Sequence, residues 1–165
     1  MIYLIILSIT ILFLLNGLII YSLKRMNSSG KNENNPVNIS VIIAAKNEEE
    51  NIDSLVESLN SLNYPFEMFE VILVDDNSND GTYEKLKLKT KSYKNFSVIE
   101  LKSILSSGKR EALSFGIKNS KYPYILITDA DCKPQSNWLN ACSRKFNAGS
   151  EMLFGVAPLY QHKYF

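Results

Sequence analysis

The amino-acid sequence predicts an α/β protein: a mostly parallel sheet with helices on both faces, preceded by one transmembrane helix. Three observations carry this. Short runs rich in Val and Ile alternate with segments whose apolar residues recur every three or four positions. Two of those runs end in carboxylates, Asp75-Asp76 and Asp129-Ala130-Asp131. The chain also opens on Ile2 to Leu23, a stretch without a charged side chain. Strands alternating with helices imply parallel pairing through right-handed crossovers, and such open sheets bind ligands at the carboxyl ends of their strands.

Residues 1–24 read as a retained anchor, because ~20 apolar residues suffice to span a bilayer. The apolar run is longer than a signal-peptide core, no basic residue precedes it, and no small-residue cleavage pattern follows Leu23. Lys24, Arg25 and Lys31 come next, so the positive-inside bias places the rest on the cytoplasmic side of a single-pass cell-membrane protein. Residues 25–38, rich in Asn, Ser and Lys with Gly30 and Pro36, read as a tether. Residues 39–165 remain, about 127 residues, enough for one modest domain.

Within that domain Ile39 to Ala45 is the first strand. Lys46-Asn47-Glu48-Glu49-Glu50 follows as a helix entrance, with Asn47 as cap, Glu50 as its capping-box partner and an acidic first turn that complements the helix dipole. Ile52, Leu55, Val56, Leu59 and Leu62 recur at helical spacing until Tyr64-Pro65. Val71 to Val74 is the second strand, and Asn77 to Thr82 supplies turn and cap residues for a helix containing Leu86 and Leu88. A third strand covers Phe96 to Leu101. After the turn at Ser106-Ser107-Gly108 a helix presents Ala112, Leu113, Gly116 and Ile117. Tyr124 to Thr128 is the fourth strand, and Pro134 starts a last helix with Trp138, Leu139, Cys142 and Phe146 on its core face.

The net charge of +1 gives no electrostatic case for nucleic acid. Cys132 and Cys142 are the only cysteines and lack metal-finger spacing, so free thiols in a reducing compartment are expected. His162 has no partner nearby in sequence and reads as a surface residue.

Chemistry concentrates in the acidic strand ends. Hard carboxylate oxygens suit a hard divalent cation held against a diphosphate. Asp131 is the first choice for a direct ligand, with Asp129 contacting a ribose or supporting the metal shell; alternatively one or both cap the helix near Pro134. A carboxylate at Asp75 or Asp76 can accept from a uracil imide or from ribose hydroxyls, or the pair belongs to a solvated turn with Asp80 and Gly81. Lys109 and Arg110 are placed to meet phosphate or base edges, or are simply solvated.

Four segments together, Val41 to Glu49, Val74 to Thr82, Gly108 to Leu113 and Thr128 to Cys132, resemble the family 2 glycosyltransferases over about residues 39 to 157. The resemblance implies a GT-A fold, a nucleotide-diphosphate sugar donor, a glycan or lipid acceptor, and Mg2+ or Mn2+. It also implies roles: Ala44, Ala45, Asn47 and Glu48 line the nucleotide site, Asp75 and Asp76 hold the base, Lys109 or Arg110 reaches base or phosphate, and Asp129 and Asp131 meet ribose and metal. Ala45 stands where the family usually has Pro, in a segment whose contacts come mainly from backbone. The family continues into an acceptor half with an acidic general base, within hydrogen-bond reach of the acceptor hydroxyl. Here Glu151 is the only acidic residue after Asp131, so no base is assigned and the chain reads as the donor half of a truncated transferase. The competing reading is a module that binds the nucleotide sugar without transferring it. A nucleotidyltransferase would need a Gly-rich loop where Ala44-Ala45-Lys46-Asn47 stands.

Overall fold

The computed structural model describes residues 2–28, 35–101 and 108–155. Helix α1, Ile2–Ser28, covers the expected anchor. Each of its described side chains is exposed, Phe13 at 79% and Leu14 at 65%, although most are apolar. Two of its polar side chains turn back on the helix: the Thr10 hydroxyl donates to the Ile6 carbonyl and the Asn16 amide to the Leu12 carbonyl, both at 2.8 Å. Counted over the described side chains alone, no helix is long and apolar enough to cross a membrane. The uncharged run in the sequence, Ile2 to Leu23, extends past those side chains at both ends.

Strands β1 (Ile39–Ala45), β2 (Phe69–Asp75), β3 (Phe96–Glu100) and β4 (Tyr124–Ile127) form one parallel sheet in the order β3-β2-β1-β4. Helices α2 (Ile52–Asn60), α3 (Thr82–Thr90), α4 (Lys109–Lys118) and α5 (Trp138–Asn147) connect or follow them. Because side chains alternate along a strand, Val41, Ile43, Val71 and Leu73 pack with Leu55 and Leu59 of α2, Leu86 of α3 and Leu139 and Phe146 of α5. Ile42, Ile72 and Val74 face the other way, onto Ala112 of α4. Helices thus cover both faces, as predicted. Each fully buried Leu or Ile contributes ~1.5–3 kcal/mol.

The lower edge of the sheet has a polar lock. Glu70, at 8% exposure, accepts from the Ser40 hydroxyl and from the Lys121 backbone N–H, both at 2.6 Å. Ser40 Oγ in turn accepts from the Tyr122 N–H at 3.2 Å. These bonds fix the entry to β4, which sets where residues 129–131 emerge.

Several boundaries differ from the sequence reading. β2 starts two residues early and includes Asp75, since Phe69 and Glu70 pair with Ile39 and Ser40. β3 stops at Glu100 and β4 at Ile127. α2 starts at Ile52, not at the acidic run: Asn47 has φ 54°, outside the helical region, and caps nothing. α5 starts at Trp138 and leaves Pro134 in the loop before it, where the Ser136 carbonyl accepts from Asn63 N–H at 2.8 Å. Leu88 is 71% exposed and plays no part in the core, and Ile117 is 40% exposed. His162 lies outside the described residues.

Candidate nucleotide-sugar site

The strand order 3-2-1-4 reverses direction between β1 and β4, and the crevice at that reversal is where an open α/β sheet receives a ligand. Its two walls are the loops after β1 and β4, and the loop after β2 lies beside them. Ala45 pairs with Asp75 across β1 and β2, and Ile42 pairs with Ile127 across β1 and β4. Both acidic motifs therefore leave the sheet at its carboxyl edge.

Asp75 and Asp76 are each 2% exposed, so the solvated-turn reading fails. Being consecutive, they part company. Asp75 keeps the face of Leu73, where its Oδ2 accepts from the Ser78 N–H at 3.2 Å while its Oδ1 is buried with no donor. A buried carboxylate oxygen without a donor is costly unless something supplies one. Asp76 turns toward α4. Its Oδ1 accepts from the Gly108 N–H at 2.9 Å, and its Oδ2 faces Lys46 Nζ at 3.7 Å, an ion pair beyond hydrogen-bond length. Its own N–H donates to the Ala45 carbonyl at 2.8 Å, which ties the ends of β1 and β2 together. Ala44 is half-buried against the α4 face of the core.

Gly108 has φ 156° and ψ 154°, a backbone region reserved in practice for glycine. Asp76 thereby fastens the start of α4, and the next residue, Lys109, reaches Asp129: Nζ donates to Oδ1 at 2.7 Å. The two acidic clusters are joined through Gly108 and Lys109 on one rim. Asp129 and Asp131 are both exposed, and Asp131 has no hydrogen-bond or ion-pair partner among the described residues. Neither side chain caps α5, whose N-cap is Asn137. No group of three or more His, Cys, Asp or Glu side chains that could hold a metal occurs among the described residues. A cation here would take carboxylates from the protein and its remaining oxygens from diphosphate and water, the usual habit of Mg2+. Arg110 is exposed on α4.

The loops after β1 and β2 are laced together by side chains 31 to 34 residues apart. Asn47 N–H donates to Ser78 Oγ at 3.0 Å, Asn79 N–H to Asn47 Oδ1 at 2.8 Å, and Glu48 N–H to Thr82 Oγ1 at 2.8 Å. Gly81 N–H donates to Glu49 Oε2 at 3.1 Å. Asp80 accepts from the Thr82 hydroxyl and N–H, and chiefly the hydroxyl holds its carboxyl below the usual carboxylate range. Asn47 thus spends its side chain on the neighbouring loop. Glu48 Oε2 accepts from Asn51 Nδ2 at 2.6 Å. Lys46 and Gly108 also join the site, through contacts that span 30 and 32 residues and leave no local signal in the sequence.

The family model described as glycosyl transferase family 2 matches residues 40–164. The chain belongs to this family. It is 32% identical over 125 residues to a β-monoglucosyldiacylglycerol synthase of Trichormus variabilis, covering 76% of this chain and 24% of that one. Among solved structures, the S. aureus TarS 1–349 complex with UDP-GlcNAc superimposes with a TM-score of 0.57 at 28% identity, covering 64% of this chain and 30% of that one. The mannosyltransferase PcManGT of Pyrobaculum calidifontis, solved with GDP-Man and Mn2+, shares the fold at a TM-score of 0.62 and 23% identity, covering 78% and 39%. The family 2 chain described here spans about a quarter of the synthase and under a third of that TarS chain.

Proposed function

We propose that this chain is the donor-binding part of a membrane-anchored glycosyltransferase that takes a sugar from a UDP-sugar and passes it, with inversion, to a glycan or lipid acceptor. The observation that carries this reading is the run of contacts Asp76–Gly108 and Lys109–Asp129, which draws two acidic strand ends and a cation to one rim of the sheet. The acidic base-side pair and the exposed Asp129/Asp131 motif both leave the sheet at its carboxyl edge, which supports a nucleoside diphosphate held between them. UDP-GlcNAc bound to TarS supports the donor class.

In this reading Asp76 Oδ2 accepts from the uracil imide N–H, with Asp75 behind it, and Lys109 and Arg110 meet the diphosphate. Asp131 and Asp129 would hold Mg2+ or Mn2+, a fit supported by the unpartnered carboxylate of Asp131. A divalent cation bound there supplies Lewis-acid stabilisation of the departing diphosphate. The residues of this chain then have three tasks: reading the base, fixing the ribose and diphosphate, and keeping the two acidic loops in register through Gly108. Titrating the purified chain with UDP and Mn2+ or Mg2+ tests the assignment. Saturable, metal-dependent UDP binding is expected, and its absence overturns the donor site.

Helix α1 is assigned to the membrane on the strength of its uniformly exposed apolar side chains and its internally bonded Thr10 and Asn16. The basic residues Lys24 and Arg25 favour a cytoplasmic domain. Alkaline carbonate washing of membranes should leave the chain in the pellet and detergent should release it; release by carbonate alone would remove the anchor.

A further inference from the structure

On the donor-site reading, Asp129 and Asp131 are the protein's contribution to a cation. Yet Lys109 Nζ already sits on Asp129 Oδ1 at 2.7 Å, while Asp131 stays without a partner among the described residues. We propose that Lys109 is a built-in competitor for the divalent cation, holding Asp129 until a nucleotide diphosphate draws the ammonium away, so that cation and nucleotide bind together rather than separately.

Charge supports this. With no cluster of three or more potential ligand side chains among the described residues, Asp129 and Asp131 are the two carboxylates this reading gives the cation. One lysine on Asp129 halves their charge, and the ammonium also repels an approaching dication. Hard divalent cations need several oxygen ligands, so what remains is a poor site for the metal alone. A diphosphate changes both terms: it brings further anionic oxygens for the metal and a stronger attraction for Lys109 than one carboxylate.

Geometry supports the exchange. Lys109 and Asp129 side chains are 57% and 51% exposed, so their pair is water-screened and weak enough to open at little cost. The root of Lys109 is fixed, because Asp76 holds the neighbouring Gly108 N–H at 2.9 Å. Only the flexible four-carbon stem has to move. Base side and metal side are therefore coupled: the residue that would read the base also sets the pivot from which the lysine swings.

The test uses the full chain in detergent and Mn2+ as probe, its binding followed by electron paramagnetic resonance with and without UDP. Wild type is expected to take Mn2+ weakly alone and at least ~10-fold more tightly with UDP. Lys109→Gln should tighten Mn2+ binding in the absence of UDP by roughly two- to fivefold, and so shrink the effect of UDP. Lys118→Gln, at the far end of α4, should behave as wild type. Mn2+ binding with UDP but no gain in Lys109→Gln overturns the competitor role and leaves the donor site standing. Failure of wild type to bind Mn2+ even with UDP overturns both.

Discussion

Asp76→Asn is expected to weaken UDP binding by roughly 10- to 100-fold while moving the melting temperature by only a few degrees. The two outcomes separate because the carboxylate does two jobs with two oxygens. Oδ1 accepts from the Gly108 N–H at 2.9 Å, and an Asn carbonyl oxygen can still accept there. Oδ2 faces the ion pair with Lys46, long at 3.7 Å and with a lysine side chain 47% exposed, so its loss costs little stability. What Asn cannot do is accept an imide N–H at Oδ2, because its amide presents hydrogens instead. A hydrogen bond to a charged group is worth about 1.5–3 kcal/mol, and ~1.4 kcal/mol is tenfold in affinity. Asp76→Ala removes both functions and leaves the Gly108 N–H without its acceptor, so it should lose stability as well. Isothermal titration with UDP and thermal melting of the three proteins distinguish these cases. Wild-type affinity in Asp76→Asn would take the nucleotide away from Asp76.

Contacts near in sequence were legible before the structure, and contacts far apart were not. β1 was read to the residue because Ile39 to Ala45 is one apolar run bounded by a charged one. The α2 core positions Ile52, Leu55, Val56 and Leu59 followed from their period. The start of α2 was misread because Asn47-Glu48-Glu49-Glu50 has ordinary cap chemistry, and only the loop some 30 residues on makes a better offer. Ser78 Oγ and Thr82 Oγ1 accept the N–H groups of Asn47 and Glu48, which a helix start would have left for its own cap. The same reason hid the start of α5, where Ser136 is bonded to Asn63.

The candidate site divides along the same line. Residue types and strand-end positions pointed to the Asp75/Asp76 and Asp129/Asp131 motifs, and the parallel sheet brings both to one edge. Asp75 closes β2 on the face of Leu73, whereas Asp76 lies just past the strand and turns to the Gly108 N–H, which gives the two carboxylates separate work. The Lys109–Asp129 pair, 20 residues apart, depends on how α4 lies on the sheet, which no local pattern specifies.

Gly116 sets how closely α4 lies on the sheet, and Gly116→Val should destabilise the domain strongly. An added Cβ at Gly116 would stand 2.5 Å from Ile42 Cγ2 and 3.2 Å from Val74 Cγ2. Ile42 and Val74 are fully buried in the middle of the sheet, so neither can step aside. The helix must lift instead. Overpacking of this kind costs ~1–3 kcal/mol or more. In Gly116→Ala the better helix propensity of alanine, worth about 1 kcal/mol, offsets part of that. Valine adds two more methyl groups and recovers less of that propensity, so a fall of about 10 °C in melting temperature is expected. The displacement also has a functional signature, because α4 begins at Lys109 and carries Gly108 at its N-cap. Lifting the helix pulls the Gly108 N–H from Asp76 and Lys109 from Asp129, so UDP binding at a temperature where the variant is still folded should fall as well. A destabilised Gly116→Val protein that binds UDP like wild type would show that the rim tolerates movement of α4, and would cut the link drawn between packing in the sheet and order at the site.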